Sequence, residues 1–562
     1  MFSNEIIFLI PVVAVGLAAA IHATAYIHGE ARRHLPRFWA FFAFTIVSMV
    51  AVVFAKEKLS FLLAWEAMGL ASAGLVAFES KEKSVKKATW IYLLACHAGA
   101  CALMLSFASL NSQAWIVAFA FAVVGFGLKI GFPPFHAWLP EAHPAAPAPA
   151  SAIMSAAMIP LGFLGLLRFF PLQNGWEALS ANMVGWTFLV FGVVSSIGGI
   201  LFSLPQANLK RLLAFSSVEN MGVVAMGFGL SALAVGRDCG GSLAALCSAG
   251  ALAHIINHAF LKGSLFLAAG SILRQTGTLD QDKLGGLLRR MPFTGTLFAI
   301  NALGLAGLPP LNGFLGELAI YLGAFLAIKT GDPILVAAGF LVAVSLSITG
   351  GLAIASYAKA IGATFLGFPR SAAAANAVET PRRMWLAQLF LTCLSVAMIP
   401  GTVFFIYTLS NGYQSQMLIA SAVLCALFAV MVLALLIIRR FVCPRASKKI
   451  FSPVWDCGYE EPSSRMAYTA TAFTQPLVDF FRPLLQTRRH VRSFKGDPAN
   501  PSDAAIVTET SDIAISGFWR PIFTKFARIF QLAHLLQNGS LHLYILIILI
   551  AVLALLVFAL LS

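Results

Sequence analysis

Apolar stretches of about 20 residues recur along the whole of this 562-residue sequence. A helix needs about 20 such residues to cross a hydrocarbon core about 30 Å thick. The stretches are continuous rather than alternating, which excludes a transmembrane β-barrel. The pattern therefore predicts an all-α polytopic membrane protein with about 14 transmembrane helices. The predicted spans are 6–28, 38–56, 59–79, 87–107, 114–133, 150–170, 183–204, 212–234, 242–272, 294–328, 333–357, 385–409, 416–438 and 541–561.

The composition agrees with this class of protein. Hydrophobic residues make up 59% of the chain and charged residues 11%, and the mean hydropathy is +0.84. Soluble domains are about 25% charged, so a disordered chain, a secreted disulfide scaffold and an ordinary cytosolic enzyme are excluded. The net charge of +15 fits the positive-inside bias of membrane proteins, which predicts lipids and not nucleic acid as partners.

The stretch 294–328 is too long for one straight span, and it contains Pro309 and Pro310. We predict one discontinuous helix here, because a single crossing places most basic loops on one side of the membrane. That side is then cytoplasmic, in the inner (plasma) membrane, and the N-terminus lies outside. The basic residues that this arrangement gathers include Arg32, Arg33, Arg37, Lys81, Lys83, Lys86, Lys87, Lys210, Arg211, Arg274, Arg289, Arg290, Arg382, Arg383 and those of 439–449.

The sequence predicts three regions. Residues 1–438 form the transmembrane bundle of about 13 spans, and 439–540 a polar cytoplasmic extension. Within the extension, 521–536 has the pattern of an amphipathic helix that lies at the membrane interface or docks on partner subunits. The segment 541–562 is a C-terminal transmembrane helix, since it is apolar throughout.

An internal repeat marks two breaks within the bundle. Gly131 to Glu141 and Gly307 to Glu317 share Gly, Pro-Pro and Glu at the same offsets, with the breaks near 133–134 and 309–313. Proline removes a backbone donor and breaks a helix. Broken helices at matching positions of two halves indicate ion sites in transporter folds. We therefore predict an inverted-repeat, antiporter-like bundle with two discontinuous helices.

Charges within the predicted spans are the main candidates for function, because each costs at least about 2.5 kcal/mol at the bilayer centre. Glu66 lies inside the third span, and Lys129 comes just before the first break. A carboxylate and an ammonium that approach in a buried site influence each other's protonation. We interpret them as part of a proton pathway, with a structural ion pair as the alternative.

A second group of candidates follows one face of the ninth span. His254, His258 and Lys262 stand at i, i+4 and i+8, a spacing that aligns them on a helix and suits proton transfer between imidazoles. Glu317 follows the second break and is predicted to end the pathway. Glu219 is a further possible member. Glu141, at the membrane surface, is a possible member that a solvated or capping role explains equally well; His22 and His97 are predicted to be structural.

The sequence predicts no cofactor, no metal site and no catalytic centre in this chain. The eight cysteines show no CxxC or Cys/His spacing of a zinc, haem or iron–sulfur site. Two histidines alone do not complete a zinc site, and no nucleophile–base set or nucleotide loop is evident.

In combination, five segments resemble the antiporter-like subunit family shared by respiratory complex I, multisubunit cation/proton antiporters and membrane-bound hydrogenases. They cover roughly residues 35–360. The segments are WE at 65–66, KIGFPPFHAWLP at 129–140, KRLLAFSSV at 210–218, HIINHAFLK at 254–262 and LPPLNGF at 308–314. Three others resemble more narrowly the component B subunits of hydrogenase-4 and formate hydrogenlyase: SSVENMG at 216–222, WDCGY at 455–459 and MAYTAT at 466–471.

The resemblance implies two half-channels joined by a polar axis at mid-membrane. It assigns Glu66 and Lys129 to the first half-channel, the His254, His258 and Lys262 stripe to the central connection, and Glu317 to the end of the second. It also implies other membrane subunits and peripheral NiFe or iron–sulfur subunits as partners.

The sequence departs from the family pattern at three places. Pro160 occupies the position where many relatives carry a central lysine, and Asn208 stands where relatives often have an aspartate. Only two spans precede the one with Glu66, whereas relatives place about four before it. Without the central lysine, either Lys262 takes over its role or the subunit pumps poorly.

The preferred interpretation is a proton- or cation-translocating membrane subunit of a redox-driven complex, either hydrogenase-like or complex I-like. Such a subunit belongs to an oxidoreductase complex without being its catalytic part. The alternatives are a stand-alone cation/proton antiporter and a structural scaffold with a degenerate channel.

Overall fold

The structure is a computed structural model, and it is almost entirely helical. Twelve of the described helices are long and apolar enough to cross a membrane, so the predicted class, an all-α polytopic membrane protein, is confirmed. The residues that it describes are 4–27, 34–79, 82–112, 114–170, 178–237, 241–412, 415–442, 468–492, 505–510, 512–533, 545–546, 549–550 and 552–553.

The helices follow the predicted order of spans. The first ten are α1 (Asn4–Tyr26), α2 (Leu35–Phe54), α3 (Lys58–Val76), α4 (Lys83–Asn111), α5 (Trp115–Ile130), α6 (Leu139–Ala145), α7 (Ala148–Ile153), α8 (Leu161–Phe169), α9 (Ala178–Ser203) and α10 (Leu209–Gly236). The next eight are α11 (Gly241–Thr276), α12 (Leu287–Arg290), α13 (Pro292–Leu305), α14 (Asn312–Lys329), α15 (Pro333–Phe365), α16 (Ala372–Ala375), α17 (Arg382–Leu409) and α18 (Ser415–Val442).

Both predicted breaks occur. The first separates α5 from α6, with a short 3-10 turn between them, and the second separates α13 from α14. Each break has a glycine with positive φ, Gly131 at +86° and Gly307 at +67°. Each also contains a Pro-Pro pair, whose missing N–H groups cannot continue a helix. Local chemistry alone therefore positions these two interruptions.

Helix α11 occupies the interior of the bundle. It packs against α10, α14, α17, α13, α1 and α7, and most of its side chains are buried. Helix α11 thus contacts α7, which follows the first broken helix, and both α13 and α14, which form the second.

Part of the predicted extension is described, and it contains more than helices. Helices α19 (Ala470–Phe480) and α20 (Arg482–Leu485) precede two antiparallel strands, β1 (Thr487–Arg492) and β2 (Ala505–Thr510), which pair from Thr487↔Thr510 to Arg492↔Ala505. The sequence pattern indicates no strand in this segment, so the two strands are an addition to the predicted all-α architecture. Thr471 and Thr474 of α19 donate hydrogen bonds to Asp282 and to the Leu204 carbonyl, at 2.7 and 3.0 Å.

The described residues fall into two units, Met1–Thr510 and Ser511–Ser562. The second contains a π-helical segment, Ala514–Trp519, and α21 (Arg520–Ala533). Helix α21 covers most of the predicted amphipathic helix 521–536. The motif at 455–459 and nearly all of the predicted span 541–561 lie outside the described residues, so the boundaries of the three predicted regions stay a prediction.

Candidate functional site

Lys129 lies in the last turn of α5, directly before the first break, and its side chain is 5% exposed. Its ammonium donates to the Tyr92 hydroxyl at 3.0 Å and lies 3.5 Å from the Cys96 sulfur. The Tyr92 hydroxyl also contacts the Ser72 hydroxyl at 2.7 Å. The ammonium also lies 5.1 Å from the ring centroid of Tyr92 and 5.9 Å from that of Trp65, and no carboxylate pairs with it among the described residues.

Glu66 and Lys129 line one pocket, together with Trp65, Cys96 and Trp138. The carboxylate of Glu66 is paired with His97, whose Nδ1 lies 3.2 Å from Oε2, and not with Lys129. The structure thus places the predicted pair in one site without an ion pair between them. It also gives His97, predicted to be only structural, a direct contact with Glu66.

A continuous set of hydrogen bonds surrounds Lys262. The Lys262 ammonium donates to the Leu213 carbonyl at 2.8 Å and to the Ser216 hydroxyl. The amide of Asn220 donates to the Ser216 carbonyl and to Glu219, both at 2.8 Å. We call these residues the central network. It also includes His254, Ser155 and Ser217, whose contacts are described in the next paragraph.

Two further contacts extend the central network to neighbouring helices. The ring nitrogen Nε2 of His254 lies 3.0 Å from Asn220 Oδ1, which joins α11 to α10. The hydroxyls of Ser155 and Ser217 lie 2.8 Å apart, and Ser217 donates to the Leu213 carbonyl at 2.9 Å. All of the side chains in the network are at most 1% exposed. It therefore brings together three of the predicted residues: Lys262, His254 and Glu219.

The region of the missing central lysine has an irregular backbone. A π-helical segment, Met154–Met158, ends two residues before Pro160. Ser155 is part of this segment, and π-helical turns are frequent at functional sites. Here the bulge contributes the Ser155 hydroxyl to the central network.

Glu317 lies beside the second break. A Cβ placed on Gly307 would come within 2.6 Å of Glu317 Oε2, so the carboxylate rests against the backbone of the break. On the same helix α14, Gly316 packs against the backbone of His254. Glu317, the predicted end of the pathway, therefore directly follows the residue that packs against His254.

Several predicted residues are placed elsewhere. Glu141 forms an ion pair with Arg211 at 3.1 Å, at the start of α6 and α10. His22 lies 3.4 Å from the Ser271 hydroxyl, and His258 is fully buried on α11. None of these three belongs to the central network in the described part of the chain.

Three polar side chains that the sequence does not mark as buried lie in the interior, and one of them, Lys210, was wrongly predicted to lie in a basic loop. Lys210 donates to the Ala146 carbonyl at 2.7 Å, and Lys359 donates to the carbonyls of Leu204 and Gln206 at 2.5 and 2.8 Å. His143, in α6, is also fully buried. Each lies near the end of a span, where sequence alone predicts a solvated group.

A second buried polar set, which we call the neutral seam, contains no carboxylate or ammonium. On α11 it includes Ser264 and Ser271, and it connects α11 to α13, α17 and α1. Its contacts are Asn301 to Ser264 at 3.1 Å and to Thr392 at 2.7 Å, Gln388 to Ser271 at 2.7 Å, and His22 to Ser271 at 3.4 Å.

The fold and the buried charges define an antiporter-like membrane subunit, and the comparisons with known proteins agree. The family described as NADH:quinone oxidoreductase/Mrp antiporter, TM matches residues 55–346. The chain belongs to this family. The resemblance drawn from the sequence motifs is therefore confirmed, as is the membrane-embedded, multi-span character of the protein.

Two curated relatives come from Escherichia coli (strain K12). Hydrogenase-4 component B is 31% identical over 91% of this chain and 81% of its own length. Formate hydrogenlyase subunit 3 is 34% identical over 68% of this chain, which spans 62% of that relative. A subunit in the structure of the membrane-bound sulfane sulfur reductase, an archaeal respiratory membrane complex, superposes with a TM-score of 0.73 at 19% identity, over 98% of this chain and 88% of that one. This structure supports the fold alone.

Proposed function

We propose that the chain translocates protons across the membrane as one subunit of a redox-driven membrane complex. The observation that carries the proposal is the central network around Lys262. A buried ammonium costs several kcal/mol, and here hydrogen-bonding side chains surround it that include two titratable groups, Glu219 and His254. Family membership supports the same function, because the family includes quinone oxidoreductase and antiporter subunits.

The proposed pathway enters at Glu66 and Lys129, continues through Lys262, His258 and His254, and ends at Glu317. A redox reaction in partner subunits changes the electric field at Glu66, which shifts the proton occupancy of the next group. Transfer then requires only proton exchange between neighbouring groups and water. The chain itself contributes no redox step.

We propose that the partners are other membrane subunits together with peripheral NiFe or iron–sulfur subunits, and that the basic loops face the cytoplasm. Relatives in hydrogenase and formate hydrogenlyase complexes support this choice. Purification of the chain with its associated proteins tests it: recovery of NiFe and iron–sulfur subunits is expected. A monodisperse chain that exchanges cations for protons in liposomes would instead favour the stand-alone antiporter.

Replacement of Glu66 tests the proposed function. In the intact complex in proteoliposomes, Glu66→Gln is expected to lower proton translocation by roughly 100-fold, because the amide cannot exchange a proton. Redox turnover in the partner subunits is expected to continue. The matched control is Glu57→Gln, since Glu57 is exposed at the start of the same helix, α3. Unchanged translocation in Glu66→Gln would contradict the assignment of Glu66.

A further inference from the structure

The imidazole of His143 is one of two buried rings beside the proposed pathway that are left unsatisfied at both nitrogens in the described part of the chain, the other being His258. The side chain of His143 is fully buried in α6, and neither of its nitrogens has a hydrogen-bond partner among the described residues. A buried polar group without a partner costs about 1–3 kcal/mol. Such groups are normally satisfied by ordered water, so the position of His143 indicates a hydrated site inside the bundle.

His143 lies between the two lysines of the pathway. Its ring is 6.0 Å from that of Trp138, which lies 4.9 Å from the Tyr92 ring, and Tyr92 is the hydroxyl partner of Lys129. On its other side, the imidazole stacks on Phe266 at 5.1 Å.

The contact with Phe266 places His143 close to the central network. Phe266 follows Lys262 by four residues on α11, one helical turn. One turn before Lys262 lies His258, whose two ring nitrogens also have no partner among the described residues. His143 and His258, whose ring nitrogens have no hydrogen-bond partner among the described residues, thus lie on either side of Lys262 along α11.

We propose that His143 is the proton relay between Lys129 and Lys262, in the role that the missing central lysine would otherwise fill. Pro160 cannot exchange a proton, and Ser155, five residues earlier, supplies only a hydroxyl. The inference rests on the proposed function, since a relay has a purpose only if protons cross the chain.

The relay step requires no other reactant than water. The Lys129 ammonium gives a proton to a water, which at once passes one of its own protons to the near ring nitrogen, so that the water is regenerated, the lysine becomes a neutral amine and the ring becomes an imidazolium. The far nitrogen then gives its proton through a second water to the neutral amine of Lys262, and a return of the ring to its first tautomer completes the cycle. No net bond is made, and one proton has moved from one side to the other.

Replacement of His143 in the intact complex tests the relay. His143→Gln keeps a polar side chain of similar length but cannot carry a proton, so we expect proton translocation per redox turnover to fall by roughly 100-fold. His22→Gln is the matched control, because His22 is equally buried but belongs to the neutral seam. It should translocate within about twofold of the wild type.

Lys262→Met, measured in the same preparation, distinguishes a failure of the relay from a failure of the proposed function. If Lys262→Met abolishes translocation while His143→Gln has no effect, the relay is wrong and the proposed function stands. If both variants translocate normally, the proposed function is wrong as well. Should His143→Gln fail to assemble, a high-resolution map of the wild-type complex decides: water bonded to both ring nitrogens supports the relay, and a dry ring contradicts it.

Discussion

At the scale of single residues, the candidate site depends on how each buried polar group is satisfied. Lys262 is surrounded by a carbonyl and a hydroxyl, and the nearest carboxylate of the central network, Glu219, is turned toward Asn220. A lysine that is not locked in an ion pair can lose and regain its proton more readily. The Asn220 amide, which contacts both Glu219 and His254, therefore controls how charge is distributed in the network.

The structure predicts that Asn220→Leu impairs translocation. The leucine removes three hydrogen bonds and leaves Glu219 and His254 without a common partner. We expect proton translocation by the intact complex to fall by about tenfold or more, which corresponds to about 1.4 kcal/mol. The control is Ser231→Ala, since Ser231 also joins α10 to α11, through the Ala244 carbonyl, outside the network. Equal losses in the two variants would indicate a purely structural effect.

A pH effect on stability is expected outside the membrane spans. Asp332 begins α15, and its hydrogen bonds from Arg237 and from the Leu335 backbone hold the pKa of this carboxyl below its usual range. Its stabilising effect is therefore present above the ordinary aspartate pKa of about 4 and is lost as the pH falls through the lower, folded pKa. Thermal unfolding at pH 7 and pH 3 should show a smaller acid loss in Asp332→Asn than in the wild type. An identical acid loss would contradict this account.

At the scale of elements, the two breaks show what sequence alone can predict. Pro-Pro and a glycine with positive φ act within a few residues, so the interruptions between α5 and α6 and between α13 and α14 were predictable. The contacts of Tyr92 and His143 were not, because each is a lone polar residue whose partners are distant in sequence. The pairing of Glu66 with His97 was missed for the same reason.

The second break yields a test of how backbone geometry positions Glu317. Gly307→Ala introduces a Cβ at positive φ that would meet the Glu317 carboxylate at 2.6 Å. Gly331→Ala is the matched control, since its φ is +75° and a Cβ there meets nothing within 4 Å. Both substitutions should cost about 1–2 kcal/mol of stability in thermal unfolding.

Only Gly307→Ala should also lower proton translocation by the intact complex, because only there is a pathway carboxylate displaced. If Gly331→Ala lowers translocation to the same degree, backbone strain in general, and not the position of Glu317, explains the loss.

At the scale of the whole molecule, charged and neutral polar residues are separated. The central network lies on the side of α11 that faces α10, whereas the neutral seam joins α11 to α13, α17 and α1. Polar side chains that bond across helices stabilise membrane bundles. The seam therefore holds α13, α17 and α1 against α11, through contacts separate from those of the central network.

This separation predicts that the neutral seam matters for stability more than for transport. Asn301→Leu removes bonds to Ser264 and Thr392, and thermal unfolding should show a loss of about 1–3 kcal/mol. Translocation by the protein that remains folded should be unchanged. The control is Ser347→Ala, because Ser347 is exposed on α15. A selective loss of translocation in Asn301→Leu would show instead that the seam conducts protons.

How much of the fold the sequence predicts depends on whether a feature is local or relies on residues distant in the sequence. Span lengths and breaks are local properties, and the thirteen predicted spans before the extension each coincide with a described helix or broken helix. The strands β1 and β2 carry charged residues in a polar segment, so neither their hydropathy nor their length marked them as strands. Likewise, the docking of α19 through Thr471 and Thr474 depends on partners about 190 and 270 residues away.

The most direct test of the central claim is the number of protons translocated per redox turnover by the intact complex in proteoliposomes with Lys262→Met. Methionine keeps the length of the side chain but carries no proton. We predict a loss of roughly 100-fold, whereas Lys329→Met, at the exposed end of α14, should behave as the wild type. Wild-type translocation in Lys262→Met would contradict the account.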